Sequence, residues 1–118
     1  MTENSKHLAE CLAKALDAKK ATDIQIIDVA DMTIVAECFV VASANNPIQV
    51  RALCQAAEEA VQTEFNLSPL RLDGYREGRW VVLDYGDVLV HVFHQEERAF
   101  YNLERLWNDG NNTIQFRI

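Results

Sequence analysis

Arg79-Trp80-Val81-Val82-Leu83-Asp84-Tyr85-Gly86-Asp87-Val88-Leu89-Val90-His91-Val92-Phe93 is the stretch that sets the fold. Two runs rich in β-branched and aromatic residues flank Gly86-Asp87, a pair suited to a tight turn, so residues 79–85 and 88–93 read as a hairpin. Upstream, residues 70–75 form a third strand, joined through a turn at Arg76-Glu77-Gly78. The result is a three-stranded meander. Along residues 79–85 the period of two places Trp80, Val82 and Asp84 on one face, and Val81, Leu83 and Tyr85 on the other.

Working toward the N-terminus, Asn45-Asn46-Pro47 announces a helix. A capping Asn stands before a Pro at the first helical position, where the missing N–H would be unpaired in any case. Val50, Leu53, Cys54, Ala57 and Val61 supply its buried stripe, and it ends near Phe65-Asn66, ahead of Pro69. Before it lie two strands, residues 24–29 and 37–43, separated by a connection through Ala30-Asp31-Met32-Thr33; the second is apolar on both parities and so buried on both faces. Leu8, Cys11, Leu12, Ala15 and Leu16 mark a first helix over residues 5–20, with Asn4 or Ser5 as cap. Beyond the meander, Phe100, Leu103 and Trp107 share the stripe of one helix over residues 95–107, with Glu96 and Glu97 in its acid-favouring first turn. Asn108-Asp109-Gly110 stops it. The order α-β-β-α-β-β-β-α predicts an α/β fold with a mixed five-stranded sheet and helices mainly on one face. One domain spans residues 1–110, followed by a tail over 111–118 without a clear period.

Composition limits what such a domain does. With 49% hydrophobic and 25% charged residues the chain has enough apolar side chains for a core, which excludes whole-chain disorder. The polar start, Met1 to His7, lacks a signal-peptide core, and no apolar run reaches spanning length, so a cytoplasmic protein is expected, with no membrane association. Cys11, Cys38 and Cys54 are odd in number and sit among apolar residues, reading as buried thiols. The net charge of −7 divides evenly, with 5 Lys/Arg against 9 Asp/Glu in residues 1–60 and 6 against 9 in residues 61–118. Neither half is basic. Primary binding to naked nucleic acid is therefore disfavoured, and a basic protein partner fits better.

Catalytic constellations are weak. Asp84 and Asp87 are three apart across a turn, as are Asp28 and Asp31, whereas two carboxylates of one strand share an ion when two apart; turn and capping roles explain all four. His91 and His94 start on opposite faces, which suits a structural histidine and a helix entry better than zinc. No metal or cofactor is expected. The chain has no Gly-rich phosphate loop, G-x-S-x-G elbow or H-E-x-x-H motif. Trp80 and Tyr85 read equally well as core residues or as interface anchors, since aromatic side chains bury much area with few rotamers to freeze.

Gly74 to His94, continued by Glu96-Glu97-Arg98-Ala99-Phe100-Tyr101-Asn102-Leu103-Glu104-Arg105-Leu106-Trp107, resembles the Iojap family, the ribosomal silencing factors. Asp28-Val29, Cys38-Phe39-Val40-Val41-Ala42 and Gln49-Val50 extend the likeness to about residues 8–108. The resemblance implies a nucleotidyltransferase-like fold without enzymatic activity, and often a homodimer. It implies binding to the large ribosomal subunit through ribosomal protein L-fourteen, which blocks joining of the small subunit and represses translation under nutrient limitation. Carried onto this chain, the contact surface includes Trp80, Val82, Asp84 and Tyr85, with Arg76, Glu77, Arg79 and Asp87 on the rim. One departure stands at Ala44-Asn45-Asn46-Pro47-Ile48, where the family commonly has a Gly-Ser-like turn and an Arg before Gln-Val. That departure weakens the alternative reading, a phosphoryl-transfer enzyme of nucleotidyltransferase type.

Overall fold

The computed structural model describes residues 1–114; positions 115–118 of the expected tail lie outside it. Four helices and six strands follow the order α1 (Glu3–Ala18), β1 (Thr22–Asp28), β2 (Cys38–Ala44), α2 (Pro47–Phe65), β3 (Arg71–Asp73), β4 (Trp80–Asp84), β5 (Val88–His94), α3 (Gln95–Tyr101), α4 (Leu103–Trp107) and β6 (Thr113–Ile114). The strands make one sheet in the order β3-β4-β5-β2-β1-β6. Among the described residues only β2 and β5 run parallel, Cys38 beside Val88 and Ala44 beside His94, because α2 provides the crossover that parallel neighbours need. β2 is buried along its whole length, as its double-parity apolar pattern requires.

The two long helices share one face of the sheet. Leu8, Leu12 and Leu16 of α1 and Val50, Leu53 and Val61 of α2 pack with Val40, Val81, Leu83, Val90 and Val92 in the larger core. All five apolar positions read from the sequence as the stripe of α2 are buried. Asn46 caps that helix by accepting the Gln49 N–H at 2.8 Å. Asn66 closes it in a left-handed conformation that Asn tolerates well. The opposite face carries a smaller cluster of Ile27, Val29, Phe39, Val41 and Phe93, against which Trp80, Leu89, Leu103 and Trp107 pack.

Four expectations are corrected. The sheet has six strands, since Thr113–Ile114 in the expected tail pairs with Ile26 and Ile27. A two-residue strand has no period to read, and it is held from its flank, where the Asn112 side chain donates to the Asp28 carbonyl at 2.9 Å. The last helix is two helices, because Asn102 adopts φ 47° and breaks the ladder. α1 starts at Glu3 rather than Ser5, capped by Thr2, whose hydroxyl accepts the Ser5 N–H at 3.2 Å. β3 is only three residues long, because Gly74, at φ 81°, turns the chain where a Cβ would come within 2.1 Å of the Trp80 carbonyl oxygen.

No helix among the described residues is long and apolar enough to cross a membrane.

Candidate functional site: an aromatic and acidic row on the open sheet face

β4 alternates as its sequence dictates. Val81 and Leu83 are sealed beneath the long helices, while Trp80, Val82 and Asp84 are partly exposed on the other face. α4 covers only the part of that face around Phe39, where Trp107 packs edge-on with ring centroids 5.3 Å apart. The β4 row is left open beside it.

Trp80 is fixed on three sides. Its ring stacks on Phe93 at 4.8 Å and lies 4.9 Å from Tyr101, and its indole N–H donates to Nδ1 of His91 at 3.1 Å. His91 is buried, 7% exposed, and desolvation lowers its pKa from 6.5 to about 4, so the ring is neutral near pH 7. Since Nδ1 accepts, the proton belongs on Nε2, which finds no partner among the described residues. The expectation of a structural histidine at His91 thus holds for one of its two nitrogens. His94 enters α3 as expected, its Nδ1 accepting the Glu96 N–H at 3.2 Å.

The residues singled out from the sequence divide into two groups. Trp80, Val82 and Asp84 form one row, with Arg79 beside it, held by its Nε–H donating to Glu97 at 2.6 Å and a contact to Glu96 at 3.4 Å. Tyr85 does not share this surface. It follows the parity of Val81 and Leu83, packs on the helix-covered core, and lines a cavity of about 320 Å³ with Leu8, Phe65, Leu67 and Asp87. Burial, the largest cause, pushes its phenol up to about 12. Arg76 and Glu77 are exposed on a turn that leans on the start of α2, where Arg51 donates to the Arg76 carbonyl at 3.2 Å. Asp87 uses its carbonyl to accept the Glu37 N–H at 2.8 Å, joining the β4–β5 turn to the entry of β2.

Three exposed apolar residues were not legible as part of the surface: Phe100 at 80%, Tyr101 at 50% and Leu106 at 74%. The sequence stripe placed Phe100 inside with Leu103 and Trp107; the break at Asn102 turns it outward instead. Phe100 meets Tyr101 at 5.1 Å, so the aromatic surface runs on from Trp80 across α3. That helix is anchored by Arg98, a buried residue whose guanidinium donates to the Ser43 hydroxyl at 2.9 Å and lies 3.3 Å from Glu104 and 3.5 Å from Asp23.

Two of the aspartates singled out in the sequence each use one carboxylate oxygen in a turn. Asp84 accepts the Gly86 N–H at 2.7 Å and Asp28 the Ala30 N–H at 3.0 Å, both as side-chain turns. Among the described residues no three His, Cys, Asp or Glu side chains gather as a metal site. All three cysteines are buried, and burial pushes each thiol up to about 12, leaving little thiolate. At the departure in residues 44–48, the Asn45 N–H donates to the Gln49 side chain at 2.9 Å and the Gln49 N–H to Asn46. These amides, at the place where a phosphate turn would stand, are thus already bonded to side chains.

Comparison with known proteins points one way. Residues 2–117 match the family model described as "Ribosomal silencing factor during starvation". A Bacillus subtilis protein named ribosomal silencing factor RsfS is 39% identical over 107 residues, spanning 91% of this chain and 90% of its own. A protein of the same name from Halalkalibacterium halodurans is 38% identical, with 91% of each chain covered. A crystal structure from Bacillus halodurans superposes with a TM-score of 0.81 at 34% identity, covering 94% of this chain and 99% of that one.

Proposed function

The chain belongs to the ribosomal silencing factor family, and from that premise we propose that it docks the open face of β4 on ribosomal protein L-fourteen of the large subunit, blocks joining of the small subunit, and so represses translation under nutrient limitation. In this role the protein is a regulator and not a catalyst, works in the cytoplasm, and needs no cofactor.

The observation that carries it is the row Trp80, Val82 and Asp84, partly open to solvent and continued by the exposed Tyr101 and Phe100. Fixed aromatic rings give large desolvated area at low entropic cost, because stacking on Phe93 and the bond to His91 have already restricted the indole. Asp84 has one carboxylate oxygen in its turn and a second free to accept from a basic side chain, and the chain's net charge of −7 favours a basic partner. Arg79, with Glu96 and Glu97, borders the row. Tyr85 faces the other way and contributes through the core.

Purified protein should sediment with isolated large subunits and reduce their joining to added small subunits. Trp80→Ala should lose both effects while keeping its circular dichroism. Wild-type protein that stays in the supernatant would remove the function, and a folded Trp80→Ala that binds normally would remove the site.

A further inference from the structure

Between α3, the start of β1 and the end of β2 lies a polar cavity of about 520 Å³, lined in part by Thr22, Asp23, Ser43, Gln95, Arg98 and Glu104. That size suits a small molecule. Arg98 reaches it from a position only 6% exposed. Its Nη1 donates to the Ser43 hydroxyl at 2.9 Å and to the Thr22 carbonyl at 3.5 Å. Nε and Nη2, however, find no hydrogen-bond partner among the described residues, and neither does Oε1 of Glu104. Glu104 at 3.3 Å from Nε and Asp23 at 3.5 Å from Nη2 balance the buried charge without being aligned to accept those N–H groups. Buried polar groups are rarely left so. The two unpaired nitrogens form the side edge of the guanidinium, which grips a carboxylate through two parallel hydrogen bonds.

Charge narrows the class of ligand. One guanidinium stands against two carboxylates, so the lining has an excess of negative charge that repels free phosphate or a nucleotide, while the buried guanidinium opposes a simple cation. A zwitterion meets both demands. We infer that this cavity is a binding site for a free α-amino acid, its carboxylate received by the Nε–Nη2 edge of Arg98 and its ammonium by Glu104 and Asp23. The backbone is shaped accordingly: β1 shifts register between Thr22 and Gln25, and Asp23 within that bulge holds φ 52°, a conformation that re-aims a side chain at a cost to the strand. Thr22 and Gln95 make the rest of the lining polar, which suits an amino acid with an uncharged polar side chain. The inference rests on the cavity and does not depend on the ribosomal reading.

Isothermal titration of the full chain with each of the common amino acids in turn, at neutral pH and up to millimolar concentration, tests it. At least one should bind saturably with one site per chain, and in amide NMR spectra it should shift Thr22, Asp23, Ser43, Arg98 and Glu104 first. The methyl ester and the N-acetyl form of that amino acid, which remove the carboxylate charge and the ammonium respectively, should each bind about tenfold more weakly or worse. Arg98→Lys keeps the charge and loses the two-pronged edge, and should bind about tenfold more weakly. Asp23→Asn, at an exposed position whose left-handed backbone Asn tolerates, should fold as wild type and bind several-fold more weakly, a result that stays decisive even where the Arg98 variant fails to fold. No saturable binding by any amino acid, which would leave the unpaired groups to bound water, would overturn the proposal. So would equal binding of both blocked forms, or shifts confined to another part of the chain.

Discussion

Acidification should weaken this protein through one ring, that of His91. In the unfolded chain an imidazole protonates near 6.5; in the fold, burial under Phe39 and Trp80 holds His91 neutral down to about 4. Between those values the unfolded chain binds the extra proton and the native state refuses it. The stability that His91 contributes is therefore whole above pH 6.5 and is lost as the pH falls toward 4. At about 1.4 kcal/mol per pH unit the full gap is worth about 3 kcal/mol, of which about 2 kcal/mol is gone by about pH 5. That is a large share of the ~5–15 kcal/mol of a typical domain. Protonation also places a hydrogen on Nδ1, where the Trp80 indole donates, so the bond that orients the indole is lost in the same step. Urea unfolding at pH 7 and at about pH 5, followed by tryptophan fluorescence, measures the loss, with His91→Phe as control. That variant leaves the indole N–H unpaired and should start about 1–3 kcal/mol weaker, yet lose distinctly less on acidification, since only background carboxylates remain. Equal pH slopes for the two proteins would refute the reasoning, as would an NMR titration placing His91 near 6.5.

Other outcomes follow from the same geometry. Phe100→Ala, at an exposed position beside Tyr101, should weaken sedimentation with large subunits while changing the urea midpoint little; Tyr85→Ala should do the opposite, because its ring lies in the helix-side core. Asn102→Gly should fold at least as stably as wild type, whereas Asn102→Val should cost about 1–2 kcal/mol, read by thermal melting, because the position sits at φ 47°. Gly74→Ala should destabilise severely, since the new methyl would press on the Trp80 carbonyl at a backbone angle that disfavours it, and loss of the cooperative melt would report it.

Most of this arrangement was legible in the residues because periodicity and punctuation agreed. Asn46-Pro47 fixed the start of α2, Gly86-Asp87 fixed the β4–β5 turn, and the alternation of β4 assigned Trp80, Val82 and Asp84 to a face separate from Val81 and Leu83. What escaped depended on single backbone angles or on distant partners. Asn102 looked like an ordinary polar position in a helix, yet its left-handed conformation cut the helix and moved Phe100 from the expected core to the surface. β6 required Asn112 to reach the Asp28 carbonyl, eighty-four residues away in sequence, which no local pattern signals. The burial of Arg98 depends on Ser43, Asp23 and Glu104, which three different parts of the chain bring around it and which no local pattern signals. The resemblance groups Tyr85 with Trp80, whereas strand parity groups it with Leu83, and the structure follows the parity.

An electron cryo-microscopy map of this chain bound to isolated large subunits tests the central claim most directly. Density from a ribosomal protein should lie against Trp80, Val82 and Asp84, reaching across to Tyr101 and Phe100, with α1 and α2 turned to solvent. Density packed on those two helices, with the indole facing empty solvent, would contradict it.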